Sequence, residues 1–393
     1  FATDASLQFA VESNFLPAMG YQGRLKLSNQ SSVALAPGKG NWQIYLHSVR
    51  LLQPTEQAGL KLEHVQGDLH RLSPTAAFAG LAKGQQLEIR YQGSSAAVSF
   101  TDFMPRAFIV AGSLQPEIFR NTDTEQLSQF IGPFNKPEQL LRYNQPQPDL
   151  FPVATAASRY QDNLQLSQHT TPTNLLDQII PTPKQVSYSR GRTELSSNWS
   201  IAYQGRLTKE ASYLTAQLQQ AGLTLQSKSG VNEQHQQKIV LLIDTSLKTA
   251  ERYQLTIHAD SILIRGADNA GVFYGVQSLL SLVPAQLSQA KVSLPRLTAD
   301  DQPRYSWRGM HYDMGRNFHG KEVTLRLIEQ MSRYKLNKLH LHLSEDEGWR
   351  LEIPGLPELT EVGAYRCFDL TEQRCLLTQL GTGPHKSGSG NGY

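Results

Sequence analysis

Cysteine is nearly absent, with only Cys367 and Cys375 among 393 residues. No metal-ligand spacing accompanies them. The pair lies in "RCFDLTEQRC", flanked by turn-friendly polar residues. It is either the closure of a small loop in an oxidising compartment or two unrelated thiols. An excess of one charge is also missing, because 37 Lys and Arg face 34 Asp and Glu. That balance gives no reason to expect nucleic acid or an anionic membrane as a partner. No apolar run reaches about 18 residues, so the sequence contains no membrane-spanning helix. Phe1 is preceded by neither an initiator Met nor a charged-plus-apolar leader. The expectation is a removed signal segment, or a start inside a longer gene product.

The length exceeds what one compact core accommodates, so two or three domains are expected. Residues 1–150 carry alternating apolar and polar runs, "RLKLSN", "WQIYLHSVRLL", "QQLEIRYQ" and "AAVSFTDFMPRAFIV", separated by turn clusters such as "APGKGN". This spacing predicts an all-β sandwich. Pro, Gln, Ser and Thr then crowd the stretch around 144–174, which predicts an extended linker over 151–175. Residues 176–303 mix the two periods. "KEASYLTAQLQQAGL" spaces Ala211, Leu214, Leu218 and Ala221 as on a helix, "KIVLLID" reads as a buried strand, and "RYQLTIHADSILIRGAD" reads as a hairpin. "AGVFYGVQSLLSLV" reads as a second helix opening after Asn269. The expectation is a small α+β domain, an antiparallel sheet with helices on one face.

From residue 304 the order is strand ("YSWRGMHYDMG"), amphipathic helix ("GKEVTLRLIEQMSRY") and strand ("LNKLHLHLS"). That is one βαβ unit, hence a parallel pair. Ligand-binding groups in such architectures collect where strands end. The first strand ends in Asp313, Arg316 and Asn317, and the second in "SEDEGWR", which holds Glu345, Asp346, Glu347, Trp349 and Arg350. Both ends fall on one edge, so the two clusters are expected to face each other. Arg316 there offers a rigid fork of donors suited to adjacent sugar hydroxyls or a carboxylate. The acids suit proton exchange or the orientation of a His, and Trp349 suits the apolar face of a pyranose. The bland alternatives are an Asp313–Arg316 ion pair and a solvated charged loop. His340 and His342 share a strand face as a metal pair would, but they precede the strand end and lack further ligands. They are read as core or supporting histidines, with no metal and no cofactor.

"RYSWRGMHYDMGRNFHG", "LNKLHLHLSEDEGWRLEIPGLPELTEVGAYRC" and "CLLTQLGTGPHKSGSGNGY" resemble the start of the catalytic barrel of bacterial chitobiases, the β-N-acetylhexosaminidases of glycoside hydrolase family 20. "ADNAGVFYGVQSLLSLVP" is similar to the end of the small domain before that barrel, and "NWQIYLHSVR" and "AAFAGLAKGQQLEIRY" to the family's carbohydrate-binding-like amino-terminal sandwich. The resemblance implies hydrolysis of terminal N-acetylglucosamine from chitobiose and chitin oligosaccharides, with the substrate's acetamido oxygen as nucleophile. It implies that Arg316 holds sugar hydroxyls and that one of Glu345 and Asp346 supports a His of the proton network; Asp313 and Trp349 are read beside them as supporting groups. Glu345 stands where the family has Asp. The two cysteines fall where these chitobiases have a loop disulfide. A periplasmic or secreted location is expected from the cysteine loop and the missing initiator Met.

A (β/α)₈ barrel takes about 250 residues, many more than follow residue 303. The expected fold is therefore multidomain: a sandwich (1–150), the linker, the α+β domain (176–303), and the first β/α units of a barrel (304–393) that the chain does not complete. The family's catalytic Asp-Glu pair is expected after Tyr393, so no catalytic residue is assigned here and these residues alone are expected to be inactive. The remaining barrel is expected either as a separate chain after cleavage in "HKSGSGNGY" or as continuing sequence. A non-catalytic chitin- or glycan-binding protein is the alternative.

Overall fold

A computed structural model describes residues 1–16, 20–142, 156–168, 177–231 and 236–386. Two compact units emerge. One holds Phe1–Gln165, Tyr312–Gly320 and the chain from Leu341 onward, and the other holds Leu166–His311 and Lys321–His340.

The amino-terminal part is built of strands: β1 (Ala5–Ser13), β2 (Tyr21–Asn29), β3 (Trp42–His47), β4 (Thr55–Gln57), β5 (Leu60–Gln66), β6 (Leu69–Pro74), β7 (Gln86–Gly93), β8 (Phe108–Ala111) and β9 (Glu117–Ile118). They form a three-stranded sheet in the order β1-β2-β7 and a six-stranded sheet in the order β4-β5-β6-β3-β8-β9. Alternation decides which face is inward. In β2, Tyr21, Leu25 and Leu27 are buried while Gln22, Arg24 and Lys26 are not. Antiparallel register sets Leu25 between Phe9 and Ile89. The run "AAVSFTDFM" is not a strand as its alternation suggested. Ser99 and Asp102 form a capping box there around a 3₁₀ turn over Phe100–Asp102, so local side-chain bonds take up the backbone donors. Short helix α1 (Pro137–Leu140) follows.

The linker expectation is corrected where it can be seen. Ala156–Gln168 forms helix α2, not extended chain. The rest of 151–175 lies outside the described residues, as does "SGSGNGY" at the end.

The α+β part contains β10 (Gln185–Ser196), β11 (Ser200–Tyr203), α3 (Thr208–Gln220), β12 (Gln226–Ser229), β13 (Lys238–Ile243), β14 (Tyr253–Ile257), β15 (Ser261–Gly266), α4 (Asn269–Leu280) and β16 (Lys291–Asp301). The sheet is seven-stranded, in the order β10-β16-β14-β15-β13-β11-β12. It is mixed and not antiparallel, because β11 pairs in parallel with both β12 and β13, and β13 with β15. Helix α3 after β11 permits its parallel pairs with β12 and β13, the excursion through β14 returns the chain parallel to β13 at β15, and the hairpin β14–β15 supplies an antiparallel pair. Along β13, Ile239, Val240 and Leu241 are buried in succession, in keeping with the continuous apolar run of "KIVLLI". Helix α3 buries Ala211, Leu214 and Leu218. Helix α4 starts where the Asp268 carboxylate accepts the Gly271 N–H at 2.8 Å.

The carboxyl part opens with β17 (Gly309–Asp313), α5 (Lys321–Arg333) and β18 (Lys338–His342). The two strands pair. Backbone bonds from Asn337 to Arg308 and from Met314 to His342 advance together along both segments, so the pair is parallel. On α5 only Met331 is buried, while Ile328 and Tyr334 of the expected apolar stripe are exposed. Further on come β19 (Ser344–Glu345), β20 (Gly348–Trp349), α6 (Glu358–Glu361), β21 (Arg366–Cys367) and β22 (Leu376–Leu377). Cys367 and Cys375 are disulfide-bonded, with Cα atoms 5.8 Å apart.

That disulfide loop packs on the six-stranded sheet within the first unit. Phe368 meets Tyr45 and Phe108 with ring centroids 4.7 and 5.4 Å away, and Leu377 joins the same buried cluster. The Asp68 carboxylate takes the Leu380 N–H at 2.8 Å and faces His47 Nδ1 at 3.1 Å. Arg106 donates to the Gly381 carbonyl at 3.0 Å.

Candidate active site

The carboxyl ends of β17 and β18 bring the two polar clusters of the sequence together in one unit, as expected for parallel neighbours. Asp313 accepts from the Arg316 backbone N–H at 3.1 Å and also pairs with its guanidinium, which bends the chain directly after β17. Arg316 Nη2 lies 2.8 Å from Glu345 Oε1, and its Nε lies 3.7 Å from Glu347 Oε2. The same Glu345 oxygen is 2.8 Å from His342 Nε2. One carboxylate therefore joins the arginine to the histidine.

The electrostatics follow from this packing. Burial opposes ionisation of Asp313, but the Arg316 hydrogen bonds outweigh it and hold the carboxyl below its ordinary range. The Asp313 hydrogen bond, with the charges of Glu347 and Glu345, raises the pKa of Arg316 further. Glu347 is shifted upward, first by burial and then by its hydrogen bond and repulsion with Asp346. Oxygens of Glu345, Asp346 and Glu347 lie within 4.8 Å of one another, and Arg316 is the cation beside them. Despite these partners the Arg316 side chain keeps 43% of its surface exposed. A ligand with paired oxygens can therefore reach the guanidinium, competing with or bridging its carboxylates.

Asp346 is exposed, and Glu345 contacts His342. Trp349 stands opposite Ser344 in the β19–β20 pair, half-buried, with its Nε1 donating to the Leu351 carbonyl. His340 stacks edge-on against His311 at 5.0 Å, while His342 engages Glu345, so the two histidines have different partners. A cavity of about 730 Å³ in the other unit contains none of these groups. There Arg308 and Lys335 are engaged with Glu251, Tyr274, Tyr253 and Asp301.

Two family models for glycosyl hydrolase family 20 match, the "domain 2" model over residues 177–302 and the "catalytic domain" model over 305–386. A "putative carbohydrate binding domain" model matches residues 11–157. The chain belongs to glycosyl hydrolase family 20. Among family-20 relatives, the N,N'-diacetylchitobiase of Vibrio harveyi is 37% identical over 355 residues, 90% of this chain and 38% of that protein. The β-hexosaminidase of Vibrio vulnificus is 34% identical over 381 residues, 95% of this chain and 43% of that protein. The chain thus spans well under half the length of these curated relatives. The crystal structure of a family-20 exo-β-N-acetylglucosaminidase from Vibrio harveyi with N-acetylglucosamine aligns with a TM-score of 0.75 at 22% identity. That alignment covers 98% of this chain and 53% of the other, and it shows a shared fold.

Two further residues of this candidate site were not singled out by the sequence. Arg350, noted only as part of the acidic turn, and Arg366, not noted at all, are buried beneath the Arg316 loop. The available signal was an arginine amid apolar neighbours in "GWRLEIP" and "AYRCF", a place where a charge has to find oxygen partners.

Proposed function

We propose that this chain supplies one wall of the sugar site of a β-N-acetylhexosaminidase. The enzyme removes terminal N-acetyl-β-D-glucosamine from chitobiose and chitin oligosaccharides. Arg316 carries the reading. It is a half-open guanidinium at the joint end of two parallel strands, steadied by Asp313 and Glu345 and free on its remaining surface to hold vicinal hydroxyls. Trp349 offers an apolar face to the ring, and Asp346 completes the acidic rim. The family and the names of its relatives support the substrate class.

The reaction retains configuration. The acetamido carbonyl oxygen of the substrate attacks the anomeric carbon while the glycosidic oxygen takes a proton and leaves, and water then opens the cyclic intermediate on the same face. In this proposal the acid that donates the proton and the Asp that orients the acetamido group are an adjacent pair on barrel strands outside these 393 residues. Residues 304–393 are then the opening β/α units of a (β/α)₈ barrel, preceded by the α+β domain over 176–303 and the sandwich over 1–150. The other partner is the rest of that barrel, and the location is periplasmic or secreted.

Replacing Arg316 by Ala in the complete enzyme is expected to lower kcat/KM on chitobiose by the equivalent of about 2–4 kcal/mol, the loss of a charged hydrogen-bond partner. An unchanged efficiency removes Arg316 from the site, and a complete protein that releases no N-acetylglucosamine overturns the enzyme reading. The carbohydrate-binding match over residues 11–157 favours one rival, a glycan binder. Titration of chitin oligomers separates the two, since tight binding to the sandwich without turnover supports the binder.

A further inference from the structure

We propose that Arg350 and Arg366 are positioning residues that aim Arg316 at the sugar by gripping the peptide units around it, without touching substrate themselves. This rests on the reading of Arg316 as the sugar-holding residue. Arg350 donates from Nε to the Met314 carbonyl at 2.9 Å, from Nη2 to the Gly315 carbonyl at 3.1 Å, and from Nη1 to the Ala364 carbonyl. Arg366 donates from Nη1 to the Arg316 carbonyl at 2.9 Å and to the Glu347 carbonyl at 3.2 Å. The accepting oxygens at 314, 315 and 316 are consecutive. The grip therefore falls on the peptide units that set the Cα–Cβ direction of Arg316, and Arg366 extends it to the acidic turn opposite.

The environment is costly for two cations. Arg350 and Arg366 are 7% and 1% exposed. Burial lowers both pKa values, that of Arg366 to about 10, with repulsion from Arg350 adding to it. Burying two like charges side by side needs several oriented acceptors to offset desolvation. Arg350 uses three separate nitrogens on three carbonyls, a geometry only the planar fork provides. Arg366 bridges two loops by donating from Nη1 to both carbonyls, a bridge that a cationic ammonium can partly imitate.

A purely structural role is the alternative, and a double-mutant cycle separates the two. Wild type, Arg350→Lys, Arg366→Gln and Arg366→Lys are assayed on chitobiose in the complete enzyme, each also in an Arg316→Ala background. With Arg316 present, Arg350→Lys and Arg366→Gln are expected to lower kcat/KM about tenfold or more, as misplacement of a binding group does. Arg366→Lys, which keeps a cationic donor, is expected to lose several-fold less than Arg366→Gln. Without Arg316 the same changes are expected to lose most of their effect, because only the acidic turn remains to be positioned. Equal losses in both backgrounds, or no loss in either, overturn the proposal. If Arg350→Lys does not fold, the Arg366→Gln loss and its Arg366→Lys rescue decide. A wild-type enzyme that leaves chitobiose intact defeats the functional reading itself, and the positioning role with it.

Discussion

A methyl group on residue 348 would lie 2.6 Å from the Gly315 carbonyl oxygen, and one on residue 315 would lie 3.2 Å from the Glu345 nitrogen. The two loops of the site cross backbone to backbone, and only glycines permit that approach. Main-chain atoms already fixed by Arg350 have little room to yield, so Gly348→Ala is expected to destabilise the folded protein by about 1–3 kcal/mol. Chemical denaturation checks this, and an unchanged midpoint contradicts the close packing. Arg316, Asp313 and the acidic turn were legible in the sequence because a strand end is a place and not merely a composition. The partners of Arg350 and Arg366 were not, because main-chain carbonyls carry no residue identity and are chosen by the fold.

Elements were legible where one period ran unbroken. The α3, α4 and α5 helices and the β14–β15 hairpin appear where alternation or helical spacing placed them. Pairing was less legible. Nothing local distinguishes a buried strand with parallel neighbours from one with antiparallel neighbours, and β11, β12 and β13 turned a sheet expected to be antiparallel into a mixed one. On β6, His70 sits fully buried. Its Nδ1 donates to the Asp68 carbonyl at 3.0 Å, and its Nε2 accepts the Leu52 N–H at 3.1 Å. Burial, with nearby His64 and His47, lowers its pKa from 6.5 to about 4. The unfolded chain therefore binds this proton first as pH falls, and the stability held by neutral His70 is present above 6.5 and lost toward pH 4. The melting-temperature gap between wild type and His70→Gln is expected to shrink across that window. A constant gap contradicts a neutral buried imidazole.

At the scale of the molecule, the six-stranded sheet near the amino terminus binds the disulfide loop near the other end of the chain. Phe368 packs against both rings of the stacked Tyr45–Phe108 pair, so Phe368→Ala is expected to cost about 1–3 kcal/mol in unfolding free energy. The loss is read from denaturant midpoints, and none at all means that this docking contributes little. The sequence divided the chain into consecutive blocks because composition shifts mark boundaries. It carried no sign that residues 366–383 return to cover strands near the amino terminus, since contacts between distant positions leave no local pattern. The bond from Leu380 to Asp68 spans 312 positions, and the approach of Thr378 to His47 spans 331. A chain made amino end first, at roughly 5–20 residues per second, leaves the ring patch of Tyr45 and Phe108 without its cover for some tens of seconds. A holding chaperone, or fast folding of the part in between, has to guard that patch until its lid is synthesised.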